Sequence, residues 1–477
     1  MVEKLEKVWD LIGVGFGPAN LALATILQEE RDNLGSKQLE ALFLERKEKM
    51  EWHPDMMIPG ASIQVSFLKD LATLRNPCSK FTFLNYLHEK NRLNEFVNLK
   101  SFFPSRRELN DYFTWAAAKI NLPVQYGREV VRILPVTNNG QNEVQLLEVV
   151  VRDRLKNCVE NYLTQNLVIS TGGRPKVPES VDVELGDRIF HSSHLLSQVS
   201  KQYPDRNHPY RFVVVGSGQS GAEIFYYLAN RYPQASVKAT LRGFAYRPMD
   251  DSSFVNEVFF PEHVNFFYQL SEEKQQYFLA KYQDTNYSAV ELDLIKKIYE
   301  LVYEDKFFGS HRLEVIPFLS FDAAREAEGF VKAQFTHLME EKAIEMECDG
   351  LILATGYHHS NRHPLLDDIA DYLIPAKSGD YQVERSYRLA SRPGFMPRIF
   401  LQGLCEETHG LSDTLLSILP VRAGEIWQEL ITPQTNRQNL ENNQFNTAFP
   451  VVMRYKILGL REQGTGNREQ GTGNRKE

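Results

Sequence analysis

Hydrophobic positions in this chain include two short continuous runs that break at glycines and then resume at helical spacing. The first is WDLIGVGFGPANLAL, from Trp9 to Leu23, and the second is RFVVVGSGQSGAEIFYYL, from Arg211 to Leu228. A short, wholly apolar run bounded by a turn reads as a strand buried on both faces. The i, i+3, i+4 recurrence after it reads as a helix. Two strand–glycine turn–helix units in one chain predict two dinucleotide-binding folds. Two more apolar strands end in Thr-Gly turns: NLVISTGGRP, Asn166 to Pro175, and DGLILATGY, Asp349 to Tyr357. That pairing is expected where a chain leaves one nucleotide domain and later returns to it. The predicted class is therefore α/β, with two Rossmann-like domains, one inserted in the other. The outer domain is expected over 1–190 and 350–450, and the inserted one over 205–349.

Within the inserted domain, residues 250–310 carry aromatic and charged side chains with apolar positions at helical spacing. This stretch is too long for a Rossmann connection. It is expected to be a small, mostly helical subdomain that covers a substrate site. The tail at 461–477, REQGTGNREQGTGNRKE, duplicates a heptad and lacks apolar residues. It is expected to be disordered, because it has nothing to bury against the entropy of ordering.

Composition narrows the classes. The chain has 477 residues, 42% hydrophobic and 24% charged, which suits two or three globular domains. A formal net charge of −8 disfavours nucleic acid as a partner. The four cysteines, Cys78, Cys158, Cys348 and Cys405, are far apart and form no zinc or disulfide pattern, so no metal is expected. The start, MVEKLEKVWDLIGVGFG, lacks the basic, long-apolar layout of a signal peptide. No apolar run is long enough to span a bilayer. The expected address is the cytoplasm, with no membrane partner.

The glycine turns carry the first chemistry. In the first, Gly13 is expected to permit the tight bend and Gly15 to let backbone approach a pyrophosphate. Gly17 follows, and Pro18 stands where a third glycine is usual. The next strand, ALFLE, ends in Glu45, an acceptor for a ribose diol. In the second turn, Gly216, Gly218 and Gly221 surround Gln219 and Ser220. The strand after it, SVKATLR, ends in Arg242, where a cation favours the 2′-phosphate of NADPH. Two such turns point to FAD fed by NADPH. Elsewhere, Lys69 and Asp70 interrupt an apolar stretch, SIQVSFLKDLATLRNPCSKFTFLNY. Lys69 is either a snorkelling surface residue or a buried cation for an anionic ligand. Asn256 and Asn286 lie in short polar runs of the insertion and could equally be caps or turns. In HGLSDTLLS, Ser412 and Asp413 suit a helix start that approaches the flavin.

Taken together, these stretches resemble the microbial N-hydroxylating flavin monooxygenases of siderophore biosynthesis, which act on ornithine or lysine, with the ornithine branch fitting better. The carrying segments are DLIGVGFGPANLAL, SFLKDLATLRNPCSKFTFLNYLHEKNRL, FVVVGSGQSGAEIF, DDSSFVNEVFFP, TNYSAV, ATGY and HGLSDTLLS, between residues 10 and 417. The resemblance implies FAD, NADPH (remaining as NADP⁺) and O₂. Oxygen would reach the side-chain amine through a C4a-hydroperoxyflavin. It further implies that Lys69 binds the substrate carboxylate with help from Asn286, and that Asn256 and Ser412 line the substrate pocket. Gln64 would sit beside the flavin ring, so Gln64 and Asn286 are the candidate catalytic positions. Trp52, His53, Arg106, Thr355, Gly356, Tyr357 and Leu411 would join the turn residues in holding the two cofactors. By analogy the assembly is a homo-tetramer. The same chemistry on lysine or a diamine is the nearest alternative, and a non-catalytic flavin/NADPH redox protein a distant one. A Baeyer–Villiger-type enzyme is disfavoured, since FHSSHLL, Phe190 to Leu196, lacks the glycine of that linker fingerprint.

Overall fold

A computed structural model of the chain describes residues 7–33, 38–137, 143–177, 181–285 and 287–432. The repeat tail at 461–477, and the expected outer domain beyond residue 432, lie outside the described residues.

Each wholly apolar run becomes the central strand of a five-stranded parallel sheet. In the first sheet the order is Arg398–Leu401, Asn166–Ile169, Leu11–Val14, Ala41–Glu45 and Val124–Tyr126. All four residues of Leu11–Val14 are buried. This is why the run shows no alternation, since helices and loops cover both faces. The second sheet has the order Ile189–His191, Gly350–Leu353, Arg211–Val215, Ser236–Thr240 and Leu313–Ile316. Each sheet is accompanied by a three-stranded antiparallel meander. One runs Arg128–Thr137, Val144–Asp153, Cys158–Thr164. The other runs Leu319–Ala327, Phe330–His337, Lys342–Cys348. The fold is thus α/β with two Rossmann-like sheets, as expected.

The crossings between the sheets differ from expectation in position. Strands Ile189–His191 and Gly350–Leu353 both belong to the second sheet. Boundaries at 190 and 350 therefore cut through it. The reason is hydrogen bonding: Gly350–Leu353 pairs on both sides, with 189–191 and with 211–215, and cannot be shared with the first sheet. The actual crossings, residues 170–176 and 354–358, run alongside one another. Arg174–Pro175 pairs antiparallel with Tyr357–His358.

The expected insertion is mostly helical: a 3-10 turn Val255–Phe259, then helices Pro261–Tyr268, Glu272–Tyr282 and Leu292–Phe307. Among the described residues no helix is long and apolar enough to cross a membrane.

The first glycine turn divides its labour differently from the sequence reading. Gly13 is not the bend. It lies inside the strand, where a Cβ would collide with the buried Phe43 ring. The bend is at Gly15, whose φ of +81° is the left-handed conformation that costs glycine least. A Cβ there would also stand 2.6 Å from Ser170 O. Gly13→Ala should therefore overpack the core and lower unfolding stability by roughly 1–3 kcal/mol in a urea titration. An unchanged midpoint would mean that Phe43 can move aside.

Candidate active site

The first turn is braced by the residue expected to bind ribose. Glu45, at the end of its strand, accepts from Phe16 N through Oε2 at 2.7 Å and from Lys47 N through Oε1 at 2.9 Å. The carboxylate fixes the turn, and each oxygen retains acceptor capacity for a ligand. Asn20 Nδ2 donates to Gly15 O at 2.6 Å, and Asn20 Oδ1 accepts from Gln402 Nε2 at 2.9 Å. The helix that follows, Pro18–Asp32, starts with proline at its first position, where no N–H is missed, and Gly17 as its cap. A Cβ on Gly17 would meet nothing within 4 Å. The helix N-terminus therefore faces open space, as an anion site requires.

Gln64 Nε2 is a buried polar atom with no hydrogen-bond partner among the described residues. Such a donor fits a ligand acceptor, since an unpaired buried donor is otherwise costly. Nearby in sequence, Trp52 and His53 have ring centroids 4.9 Å apart, and Tyr357 lies 6.1 Å from His53. Burial, then the Arg106 and Lys47 charges, push the His53 imidazole down to about 4, so it is neutral at physiological pH. Tyr357 also packs 5.2 Å from His191, while Gly356 O accepts from Lys176 N at 2.9 Å. Thr355 donates its hydroxyl to Lys176 O. Thr355, Gly356 and Tyr357 thus knit the two crossings together.

In the second turn, Gly216 and Gly221 allow close packing: a Cβ on Gly216 would strike Ala354 O, and one on Gly221 would strike Gly216 O. Gly218 caps the helix Gln219–Arg231. Ser220, half-buried, lies in its first turn. Gln219 is already engaged at both ends of its amide. It donates to Glu223 Oε1 at 3.0 Å and accepts from Glu291 N at 2.9 Å. Arg242 is exposed just past its strand.

In the segment 62–86, Asp70 is buried and accepts from Ala72 N, Thr73 N, Thr73 Oγ1 and Phe83 N at 2.6–2.9 Å. It ties the loop after Lys69 to the helix Phe83–Glu89. Lys69 itself is half-buried, and among the described residues its ammonium has no recorded partner. Burial alone lowers its pKa. Asn256 Nδ2 donates to Asp251 O at 2.9 Å, a bond back to the loop that precedes it. Asn286 lies outside the described residues. Ser412 is buried, and Leu411 belongs to an apolar cluster with Val258 and Phe259 of the insertion. The helix start expected in HGLSDTLLS is displaced. A short helix, Glu406–His409, ends there, and the long one begins only at Leu419–Ile431. Asp413 is not a cap for it. It accepts from Cys405 N at 2.7 Å and pairs with the fully buried Arg422 at 2.8 Å.

Comparison with known proteins bears on this geometry. The sequence profile of the L-lysine 6-monooxygenase/L-ornithine 5-monooxygenase family matches residues 7–359. The chain belongs to that family. It is 41% identical over 440 residues to an L-ornithine N(5)-oxygenase of Arthrobotrys oligospora, covering 90% of this chain and 89% of the relative. An ornithine hydroxylase structure from Pseudomonas aeruginosa is similar with a TM-score of 0.82 at 38% identity, covering 89% and 99% of the two chains. The ornithine N-hydroxylase of Kutzneria sp. 744, solved with reduced FAD, NADP⁺ and L-ornithine, gives a TM-score of 0.83 at 36% identity over the same shares.

Three contacts in this family member escaped sequence reasoning. Arg106 pairs with Glu223, Arg422 with Asp413, and Tyr287 donates to Glu406, with Thr414 Oγ1 3.2 Å from the same phenol. The second could have been suspected from Arg422, a cation set in the otherwise largely apolar run ILPVRAG. Burial chiefly, opposed by the Tyr287 hydrogen bond, pushes the Glu406 carboxyl up to about 7 from 4.5. A raised acid is a stability cost that is absent below the unfolded value and complete above the folded one. Between pH 4.5 and about 7 the unfolded chain releases a proton that the native state keeps, so stability falls as pH rises. Glu406→Gln should thus be nearly neutral at pH 5 and stabilising by up to about 3 kcal/mol at pH 8, read by chemical unfolding. A stability difference independent of pH would refute the raised pKa.

Proposed function

We propose that the chain is an FAD- and NADPH-dependent monooxygenase that hydroxylates the side-chain amine of L-ornithine, supplying a hydroxamate siderophore pathway. The observation that carries the choice of substrate is Lys69. It is a half-buried lysine that has no hydrogen-bond or ion-pair partner among the described residues, on a loop that Asp70 holds in place. A cation left unpaired at a partly desolvated site needs an anion, and an amino acid carboxylate provides one. A diamine offers none.

In this reading the first sheet serves FAD and the second NADPH, with the domain change at the paired crossings. Gly15 shapes the first turn, and Gly13 lets the strand before it pack against Phe43. Gly17, Pro18 and the helix they begin receive the FAD pyrophosphate, and Glu45 accepts from its ribose. Gln64 donates its free N–H to the flavin, and Trp52, His53, Thr355, Gly356, Tyr357 and Leu411 close the surrounding wall. Ser220 and Arg242 bind NADPH phosphates beside Gly216 and Gly218. Asn256, Asn286 and Ser412 complete the substrate pocket around Lys69. The four free cysteines, two of them exposed, suit a reducing cytoplasm that also supplies NADPH. A homo-tetramer is carried over as analogy.

Bound FAD and NADPH supply the electrons and activate O₂. In sum, amine, NADPH, O₂ and a proton give hydroxylamine, NADP⁺ and water. The protein's own task is positional. Lys69 clamps one end of the substrate, so only an amine at the right reach meets the flavin. That amine must be neutral to accept oxygen, although its solution pKa is roughly 10.4. Removing the amine from water as the substrate binds lowers its pKa and so favours the neutral form.

Product analysis with NADPH, O₂ and ornithine, lysine or putrescine tests the assignment. Hydroxylamine formed mainly from ornithine is the expected result, and preference for a diamine would overturn it. Lys69→Ala should raise the KM for ornithine by roughly ten- to a hundredfold, the loss of a hydrogen bond to a charged group. Its flavin should still be reduced by NADPH. An unchanged KM would remove Lys69 from the substrate site.

A further inference from the structure

The Arg106–Glu223 pair joins helices that belong to the two different sheets. Arg106 is the first residue of the helix Arg106–Ala118, on the side of the first sheet. Glu223 lies one turn into Gln219–Arg231, the helix whose N-terminus follows the second glycine turn. The guanidinium grips the carboxylate at both ends, Nη1 to Oε2 and Nη2 to Oε1, each at 2.9 Å. A further donation from Nη1 to Met56 O at 2.7 Å fixes its orientation. The side chains are only 14% and 5% exposed. Glu223 Oε1 also accepts from Gln219 Nε2, and Gln219 Oε1 accepts from Glu291 N at the entry to the helix Leu292–Phe307. One carboxylate therefore ties the first-sheet helix, the dinucleotide helix and the insertion to one another.

We propose that Glu223 is a positioning residue. By holding Arg106 and Gln219 it sets where the NADPH-binding helix stands relative to the first sheet, and so whether the nicotinamide reaches the flavin. This deepens the proposed function and rests on it. The physical argument has two parts. A buried carboxylate one turn from a pyrophosphate site would repel that anion unless neutralised, and Arg106 neutralises it. A bidentate pair also fixes direction as well as distance, which a single hydrogen bond does not. Other polar ties between the halves, such as Ser197 N to Asp55 Oδ1 at 2.7 Å, Arg385 Nε to Asn265 Oδ1 at 2.7 Å and Tyr268 OH to Val383 O at 3.1 Å, do not involve the dinucleotide helix. Met56 and Ile58 share an apolar cluster with that helix, which gives contact without fixing direction. Hydride transfer from NADPH to flavin moves two electrons and one proton over a short reach, so misplacement by about 1 Å costs rate up to roughly a hundredfold.

The test compares the holoenzyme with Glu223→Gln and with the charge-swapped double variant Arg106→Glu/Glu223→Arg. Anaerobic rapid mixing with NADPH reads the reductive step, and calorimetry reads NADP⁺ binding. Small-angle scattering and thermal unfolding without NADPH read the arrangement of the halves. Expected for Glu223→Gln is a flavin reduction rate roughly ten- to a hundredfold lower, with a smaller change in NADP⁺ affinity and a larger radius of gyration. Oxidation of dithionite-reduced flavin by O₂ should be unchanged. The swapped pair should recover much of the rate. Reduction of Glu223→Gln at the wild-type rate overturns the proposal. So does a swapped pair that recovers nothing and loses NADP⁺ binding, because Arg106 would then be a direct NADPH ligand. If Glu223→Gln unfolds more easily, the swapped variant alone decides in the same way. A wild-type flavin that NADPH cannot reduce would instead defeat the functional reading on which the proposal stands.

Discussion

Two crossings, 170–176 and 354–358, lie side by side and pair through Arg174–Pro175 and Tyr357–His358. Much else follows from that pairing. Each crossing starts at the end of a strand that neighbours the central one, Asn166–Ile169 in one sheet and Gly350–Leu353 in the other. Pairing the two connections brings the ends of the strands towards a common region, which is where parallel sheets offer their ligand sites. The bonds from Lys176 N and Thr355 Oγ1 across the crossings keep that region from opening. Two sheets that would individually tolerate many orientations are thereby limited to a hinge of two strands, and Arg106 and Glu223 brace it from the side.

Three buried or half-buried cations divide the labour of this molecule. Arg422 is fully buried and satisfied by Asp413. Arg106 is nearly buried and satisfied by Glu223 and Met56 O. Lys69 is half-buried and has no recorded partner among the described residues. Desolvating a charge is tolerable only with compensation. The first two are compensated within the chain and so serve architecture. The third meets no anion among the described residues, and the proposed substrate role of Lys69 draws on that difference.

Much of the architecture was legible in the sequence because periodicity reports burial. Leu11–Val14 and Arg211–Val215 read as buried strands since their runs never alternate, and the glycines bounded the turns. The division of roles within GVGFG was not legible. Gly13 against Gly15 is decided by whether Phe43 packs there, a contact between strands that no local pattern encodes. The domain boundaries slipped for a similar reason. Strands 189–191 and 350–353 are paired by register across the chain, not by their neighbours. For Lys69 the sequence left two readings open, because its partners or lack of them depend on how 62–86 folds. Glu406 and Glu223 looked like ordinary helix acids, and only their burial gives them chemistry.

The order of strands in the first sheet has a consequence for biosynthesis. Its edge strand Arg398–Leu401 pairs with Asn166–Ile169, yet the entire second sheet is translated between them. While the ribosome makes residues 170 to 397, the apolar strand 166–169 has one side without its partner, an exposed template for unwanted pairing. The inserted domain can reach a complete sheet first, whereas the outer one waits for nearly the last described segment. Premature termination before residue 398 should therefore yield chains that aggregate through the first sheet even when the second has folded. The demand on chaperones would fall on the oldest part of the nascent chain, not the newest.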